Sequence, residues 1–444
     1  MGRLAPMLGP MTATPLTEAE TDRFLAPLAR YGRTALAVSG GPDSVALLHL
    51  CVDFALRHGL AAPVALTVDH DLRPGSRAEA ERVAEIAERL GAPHAILTWR
   101  HGPIDARLQA RARAARYDLM AAYCTARDIP VLVTAHHLDD QAETFLMRLK
   151  RGSGLDGLAA IPKEGEWAGL TLLRPLLEAS KAQLVATAEA AGLPLSNDPS
   201  NEDARFERVR LREAMAALAQ IGLEPEAIAL SARRLRRARS ALEAAAGSFL
   251  DAHCERSPAG YASVSLSALL EAPEEVGLRA LDRLVAAVGG SSEPLRLAKL
   301  EALVDGLRAE PDKAQTLGRC RIVPARGRVA VFREVRKAGL PRGALRPGER
   351  LLWDNRFRLE LGAGEPEAVT VEALGEGGIE ALLKDEEGAL CLPRLAVCTL
   401  PVCRLGDGRL LLPDFGQGGA PLPAPLSRHE AGFDCRATFL WRTP

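Results

Sequence analysis

Between residues 34 and 151 four short apolar runs alternate with four longer helical ones, and this alternation restricts the fold more than any other feature of the chain. The runs TALAVS (34–39), VALTVD (64–69), HAILTW (94–99) and IPVLVTA (129–135) read as buried strands. DSVALLHLCVDFALRHG (43–59), SRAEAERVAEIAERLG (76–91), DARLQARARAARYDLMAAYCTARD (105–128) and DDQAETFLMRLKR (139–151) read as helices. Near-continuous apolar strands separated by helices imply a parallel sheet covered on both faces. Such a sheet binds ligands beyond the carboxyl ends of its strands. The segments SGGPDS (39–44), DHDLR (69–73) and HHLDDQ (136–141) all fall there.

The remaining length asks for further domains, since 444 residues exceed one ordinary domain. We expect an α/β domain over 1–217, a mostly helical middle domain over 218–336, and a C-terminal α+β domain over 337–444, where proline, glycine and short alternating segments begin. Lys and Arg total 56 against 57 Asp and Glu, so contact with nucleic acid would need a local basic patch. None of the eight cysteines forms a C-x-x-C pair, which is the pattern of a reduced protein with scattered core thiols and no zinc site. No apolar run is long enough to span a bilayer, and MGRLAPMLGPMTATPLT lacks the apolar stretch of a signal peptide. The expectation is a cytoplasmic protein without a membrane partner; monomer and homodimer both remain open.

The turn SGGPDS lacks the Gly-Lys-Ser/Thr of a Walker A loop. Its glycines let backbone approach a ligand, and the amides that open the next helix present the positive end of the helix dipole. Ser39 and Ser44 add hydroxyls, so the turn suits an anion such as pyrophosphate. Asp43 would repel that anion unless a divalent cation lay between them, which points to magnesium. A plain strand-to-helix turn capped by Asp43 or Ser44 accounts for the hexapeptide equally well.

The wider set of motifs narrows the choice. SGGPDS after a first strand resembles the pyrophosphate loop of the N-type ATP pyrophosphatases. VDHDLRPGS (68–76), ARYDL (115–119), TAHHLDDQAETFLMRLKRGSGLDGL (134–158), RPLL (174–177) and NDPSNEDARFERVRLR (197–212) then follow in the order found in the tRNA(Ile)-lysidine synthetase family. The resemblance covers about the first 212 residues, and HHLDDQAET is its most specific part. It implies an adenine-nucleotide alpha-hydrolase-like (Rossmann-like) catalytic domain. It also implies a carbon–nitrogen ligase that uses ATP and Mg2+ to join L-lysine to C2 of the wobble cytidine of tRNA(Ile) with a CAU anticodon, through an adenylated cytidine. Another tRNA-modifying enzyme of the superfamily, such as a thiolase, is the alternative, but thiolases of this class usually rely on cysteine pairs.

By that resemblance Ser39, Gly40, Gly41, Pro42, Asp43 and Ser44 hold the nucleotide phosphates, and Asp43 also meets the metal. Asp43, Arg116 and His136 are the catalytic candidates, with His137 the weaker of the two histidines. Asp140 and Glu143, three apart on one helix face, are the lysine-binding candidates. Carboxylates in a first helical turn also favour the helix dipole, so both readings apply to them. Asp69 and His70 fit nucleotide contact or simple turn chemistry. From Arg205 to Arg239 nine arginines face four glutamates, a solvated face or a phosphate-binding one. Arg205, Arg208 and Arg212 are the RNA-binding candidates nearest the motifs, and Val209 stands where the family usually has asparagine.

Overall fold

In the computed structural model, residues 13–71, 75–102, 108–194, 207–291, 295–336, 338–383, 392–415 and 433–441 are described. The chain divides into two compact units, Met1–Arg239 and Ser240–Pro444.

The first unit begins with α1 (Glu18–Leu25), started by a capping box in which Thr17 and Glu20 satisfy each other's backbone amides. Then follow β1 (Ala35–Ala37), α2 (Pro42–Arg57), β2 (Val64–Asp69), α3 (Ser76–Arg89), β3 (His94–Thr98), α4 (Leu108–Thr125), β4 (Val131–Val133) and α5 (Leu138–Leu149). α6 (Leu155–Leu158), β5 (Glu164–Trp167), β6 (Leu170–Leu173), α7 (Lys181–Ala190) and α8 (Glu207–Gln220) complete it, together with the first half of α9 (Pro225–His253). The sheet order is β3-β2-β1-β4-β6-β5, parallel except for the antiparallel edge strand β5.

Alternate residues of the short central strands serve two cores, because a strand turns successive side chains to opposite faces. Leu36, Val131 and Val133 pack with Leu47, Phe54 and Leu184 on one side. Ala35, Leu66 and Leu132 pack with Tyr117, Met120 and Leu172 on the other. Leu36, Leu47, Leu66 and Leu132 have no exposed surface, a burial that stabilises by about 1.5–3 kcal/mol per leucine.

The expected parallel sheet is thus present, with one addition. The β5–β6 hairpin was not legible: its turn uses Ala168 and Gly169, both at positive φ, without the Asn-Gly signal that marks such turns. From β1 the chain builds outward through β2 and β3, then returns to place β4 on β1's other side. This reversal makes the crevice beyond β1 and β4 the expected ligand position.

The second unit takes the rest of α9 and adds β7 (Cys254–Ser257), β8 (Tyr261–Ser265), α10 (Leu266–Glu271), α11 (Glu274–Gly289), α12 (Leu297–Ala309), β9 (Gln315–Leu317), β10 (Cys320–Ala325) and β11 (Arg328–Arg333). The middle of the chain therefore pairs its helices with an antiparallel sheet, β7-β8-β11-β10-β9. Leu281, Leu284 and Val288 of α11 pack against Ile322, Val329 and Val331 of that sheet.

Beyond it lie β12 (Gly343–Leu345), β13 (Arg350–Trp353), β14 (Phe357–Leu361), β15 (Val369–Ala373), α13 (Gly375–Leu383), α14 (Arg394–Val397), β16 (Pro401–Arg404), β17 (Leu410–Leu411) and β18 (Cys435–Phe439). They form two small antiparallel sheets, β12-β15-β16-β17 and β13-β14-β18, the α+β character expected of this region. Among the described residues no helix is long and apolar enough to cross a membrane.

Candidate active site

The turn between β1 and α2 is held by its own polar groups. The Ser44 hydroxyl donates to the Gly41 carbonyl at 2.9 Å and accepts from the Ser39 amide at 3.1 Å. Ser39 Oγ lies 3.3 Å from Ser44 Oγ. Gly40 has φ +90°, a left-handed conformation, and a Cβ there would stand 3.1 Å from Val83 Cγ2. The φ favours glycine, and a Cβ would also make Val83 give way. Gly41 precedes the helix without a side-chain cap, and Pro42 takes the first turn, where its missing N–H costs nothing. Ser39, Gly40 and Gly41 line a cavity of about 500 Å³ with Arg82, Val83 and Arg89 of α3.

Asp43 sits in the first turn of α2, and its Oδ1 is buried without a hydrogen-bond partner. A buried carboxylate oxygen left this way is costly, and a ligand proton or a cation would relieve it. Among the described residues no group of three or more His, Cys, Asp or Glu is arranged to hold a metal ion. The orphaned Asp43 carboxylate fits a Mg2+ ion, which would offset charge at bound phosphates.

β4 delivers the second motif to the same crevice. His137, 3% exposed, has Nε2 at 3.5 Å from Asp43 Oδ2 and 3.5 Å from Asp140 Oδ2, and Nδ1 at 3.4 Å from Asp139 Oδ2. The Asp140 carboxylate also accepts from the His137 amide at 3.1 Å. Burial alone would lower the imidazole pKa, but the bonding carboxylates of Asp139 and Asp43 and the charges of Asp140 and Asp43 prevail and raise it to about 10. At neutral pH His137 is a cation among three carboxylates. Burial works against ionisation of Asp139 too, yet His137 and the Lys181 amide, 2.8 Å away, hold its pKa below the usual value. His136 makes a 2.7 Å bond between Nδ1 and the Thr134 hydroxyl.

Asp140 and Glu143 are both buried on α5. Glu143 Oε1 accepts from Arg212 Nε of α8 at 2.5 Å. One ion pair thus joins a lysine-site candidate to an RNA-site candidate. Partial burial lowers the Arg212 pKa, but Glu143 and the charges of Asp140 and Asp43 raise it overall. Arg205 and the side chain of Arg208 lie outside the described residues.

Arg116 is half-buried on α4, with its guanidinium carbon 5.6 Å from the Tyr117 ring centre. Asp69 is used in its own turn: its Oδ1 accepts from the Asp71 amide at 3.0 Å and from Ser76 Oγ at 2.7 Å. Arg174 of RPLL is buried and donates to the Pro162 carbonyl at 3.0 Å, a scaffolding bond. The role of His137 as a hub was not apparent from the sequence, because two adjacent histidines after a strand give no clue to which one turns inward.

A family model described as the PP-loop domain matches residues 14–218. The tRNA(Ile)-lysidine synthase of Methylobacterium nodulans is 49% identical over 289 residues, covering 64% of this chain and 84% of that protein. Its counterpart from Bradyrhizobium sp. (strain BTAi1) is 43% identical, covering 66% and 84%. The one from Wolbachia pipientis wMel is 33% identical over 394 residues, covering 87% of this chain and 90% of that protein. With a PP-loop domain ahead of the α+β end and relatives aligned over most of both lengths, the chain belongs to the tRNA(Ile)-lysidine synthase family.

Proposed function

We propose that the chain is an ATP-dependent carbon–nitrogen ligase that joins L-lysine to C2 of the wobble cytidine in tRNA(Ile) with a CAU anticodon. The observation that carries the reading is the meeting of two motifs at one sheet edge. His137 lies 3.5 Å from both Asp43 of the glycine turn and Asp140 of the acidic helix. An anion cradle and an acidic niche for an ammonium-bearing nucleophile are neighbours there.

In the first step the cytidine O2 attacks the α-phosphate of ATP and pyrophosphate leaves. Ser39, Gly40, Gly41, Pro42, Asp43 and Ser44 hold the departing phosphates through backbone and hydroxyl groups. Mg2+, held by Asp43 and the phosphates, would neutralise part of their charge. Arg116 and His136 are assigned to the reacting phosphate and base as donors of positive charge and hydrogen bonds. In the second step the lysine ε-amine attacks C2 and AMP leaves. Asp140 and Glu143 bind the ammonium groups of lysine, and the attacking amine must shed a proton before it has a lone pair to use. His137, within 3.5 Å of Asp43, Asp139 and Asp140, serves to fix these carboxylates in place. Arg205, Arg208 and Arg212 are assigned to RNA phosphates.

Thiolase chemistry is disfavoured by the thiols of the first unit. Cys51 and Cys124, the two cysteines before residue 240, are fully buried, and burial pushes the Cys124 pKa up to about 11. Such thiols are poor nucleophiles and poor sulfur carriers. The test is incubation with ATP, radiolabelled lysine and unmodified tRNA(Ile) transcript. Lysine-dependent label in the RNA, with AMP and pyrophosphate released in equal amounts, is expected. ATP consumption without label in RNA would refute the assignment.

A further inference from the structure

At the carboxyl ends of β2 and β3 three rings form a cluster that the reaction described above leaves without a role. Trp99 extends β3, its amide donating to the Asp69 carbonyl at 2.8 Å, so its ring is fixed in register with the end of β2. The Trp99 and His101 ring centres are 4.3 Å apart at 42°, and His70 meets Trp99 edge-on at 5.9 Å and 88°. His101 has Nε2 at 3.1 Å from the His70 carbonyl and Nδ1 at 2.9 Å from the Gly102 carbonyl, and the neutral ring donates to one of the two. All three residues are half-buried, so the rings are held firmly while part of their surface stays open.

A second observation points to a ligand. His70 Nδ1 is buried and has no hydrogen-bond partner, an expensive position for a polar nitrogen unless a bound group meets it. Burial and the Arg116 guanidinium both lower the His70 pKa, which leaves a neutral ring able to offer that nitrogen to a polar edge.

We propose that Trp99, His101 and His70 form a nucleobase-binding platform, with a base stacked on the Trp99–His101 surface and its polar edge met by His70 Nδ1. Aromatic and imidazole rings stack any base through its π-face, and a single ring nitrogen adds directional recognition. The reading rests on the proposed function, two of whose three substrates carry a nucleobase: the adenine of ATP and the bases of an unpaired anticodon loop.

The experiment compares wild type, Trp99→Phe and Trp99→Ala. Each is titrated separately with α,β-methylene-ATP and with an unmodified anticodon stem-loop bearing CAU. The chain has four tryptophans, so the Trp99 signal is the difference in fluorescence between wild type and Trp99→Phe. Quenching of that difference by one probe is expected, and Trp99→Ala should weaken the same probe by about tenfold, with Trp99→Phe retaining most of the affinity. The matching KM should rise while kcat is kept. Loss confined to the ATP analogue identifies adenine as the occupant, and loss confined to the stem-loop identifies an RNA base. Failure of both probes to quench the difference signal, with both affinities unchanged in Trp99→Ala, overturns the platform. If the wild type incorporated no lysine yet still showed the quenching, the proposed function would fail and the platform would stand.

Discussion

His137 is the residue on which the site's electrostatics turn, and its behaviour with pH can be stated with a sign. Its pKa rises from 6.5 to about 10 on folding, because carboxylates on three sides favour the imidazolium. The stabilisation it contributes is complete below about 6.5, the unfolded value, and is lost as pH climbs through the folded value near 10. Chemical denaturation of wild type and His137→Gln across that window should show the wild-type advantage shrinking as pH increases. A constant difference from pH 6 to 10 would mean that the imidazole is not charged in the fold. Asp43→Ala probes the neighbouring carboxylate. It should cut lysine transfer by about a hundredfold or more while leaving the melting temperature within a few degrees, because the side chain contributes charge at a partly open position. Residue types, spacing and the family resemblance together singled out Asp43, Asp140 and Glu143 as candidates in the sequence. They did not display the Glu143–Arg212 pair, which joins residues 69 apart on separate helices. Nor did they separate His136 from His137, since that depends on how the chain leaves β4.

Among the elements, the loop from β1 to α2 was the most legible, and the reason is local. Ser39, Gly40, Gly41 and Ser44 each meet a need inside one turn, so sequence neighbours and structural neighbours coincide. The alternation of apolar strand and helix displayed the order of the eight elements from β1 to α5 for the same reason. The β5–β6 hairpin and the β7–β11 sheet were hidden because their strands lack the regular alternation with helices and draw their apolar partners from distant helices. Gly40 gives the element-scale test. Gly40→Ala would force a side chain into φ +90° and against Val83 Cγ2, at a cost of about 1–3 kcal/mol. Its effect on ATP affinity should exceed that of Gly59→Ala, since Gly59 has a similar positive φ at the far end of α2 with open space around it. Equal ATP affinities for the two variants would show that strain alone, and not the shape of the cradle, matters at Gly40.

Each unit of the molecule solves its charge problem in its own way, and the arginines show how. In the second unit Arg333 and Arg356 share the Asp354 carboxylate, with Arg356 wholly buried and its pKa lowered by burial to about 10. Asp354→Ala should cost about 3–5 kcal/mol in denaturant midpoint experiments, since it strands two buried cations. In the first unit the arginines of α9 divide by face. Arg233, Arg236 and Arg239 fall three apart and each has an acceptor within the unit, although Arg233 itself is exposed. Arg236 donates to the Ala159 and Ile161 carbonyls at 2.9 and 2.8 Å, Arg239 meets Asp156 at 2.8 Å, and Arg233 lies 4.0 Å from Glu178. Arg234 and Arg237, also three apart, are exposed. The arginine-rich run that read as one basic face is thus part scaffold and part open surface. If the open part meets RNA phosphates, Arg234→Ala with Arg237→Ala should lower tRNA affinity about equally for every sequence and flatten the slope of log affinity against log salt by about 1–2. Arg236→Ala, which removes two carbonyl contacts and no exposed charge, should instead lower the melting temperature and leave that slope intact. An unchanged slope in the double variant would return Arg234 and Arg237 to the class of merely solvated charges and move the RNA contact elsewhere on the chain.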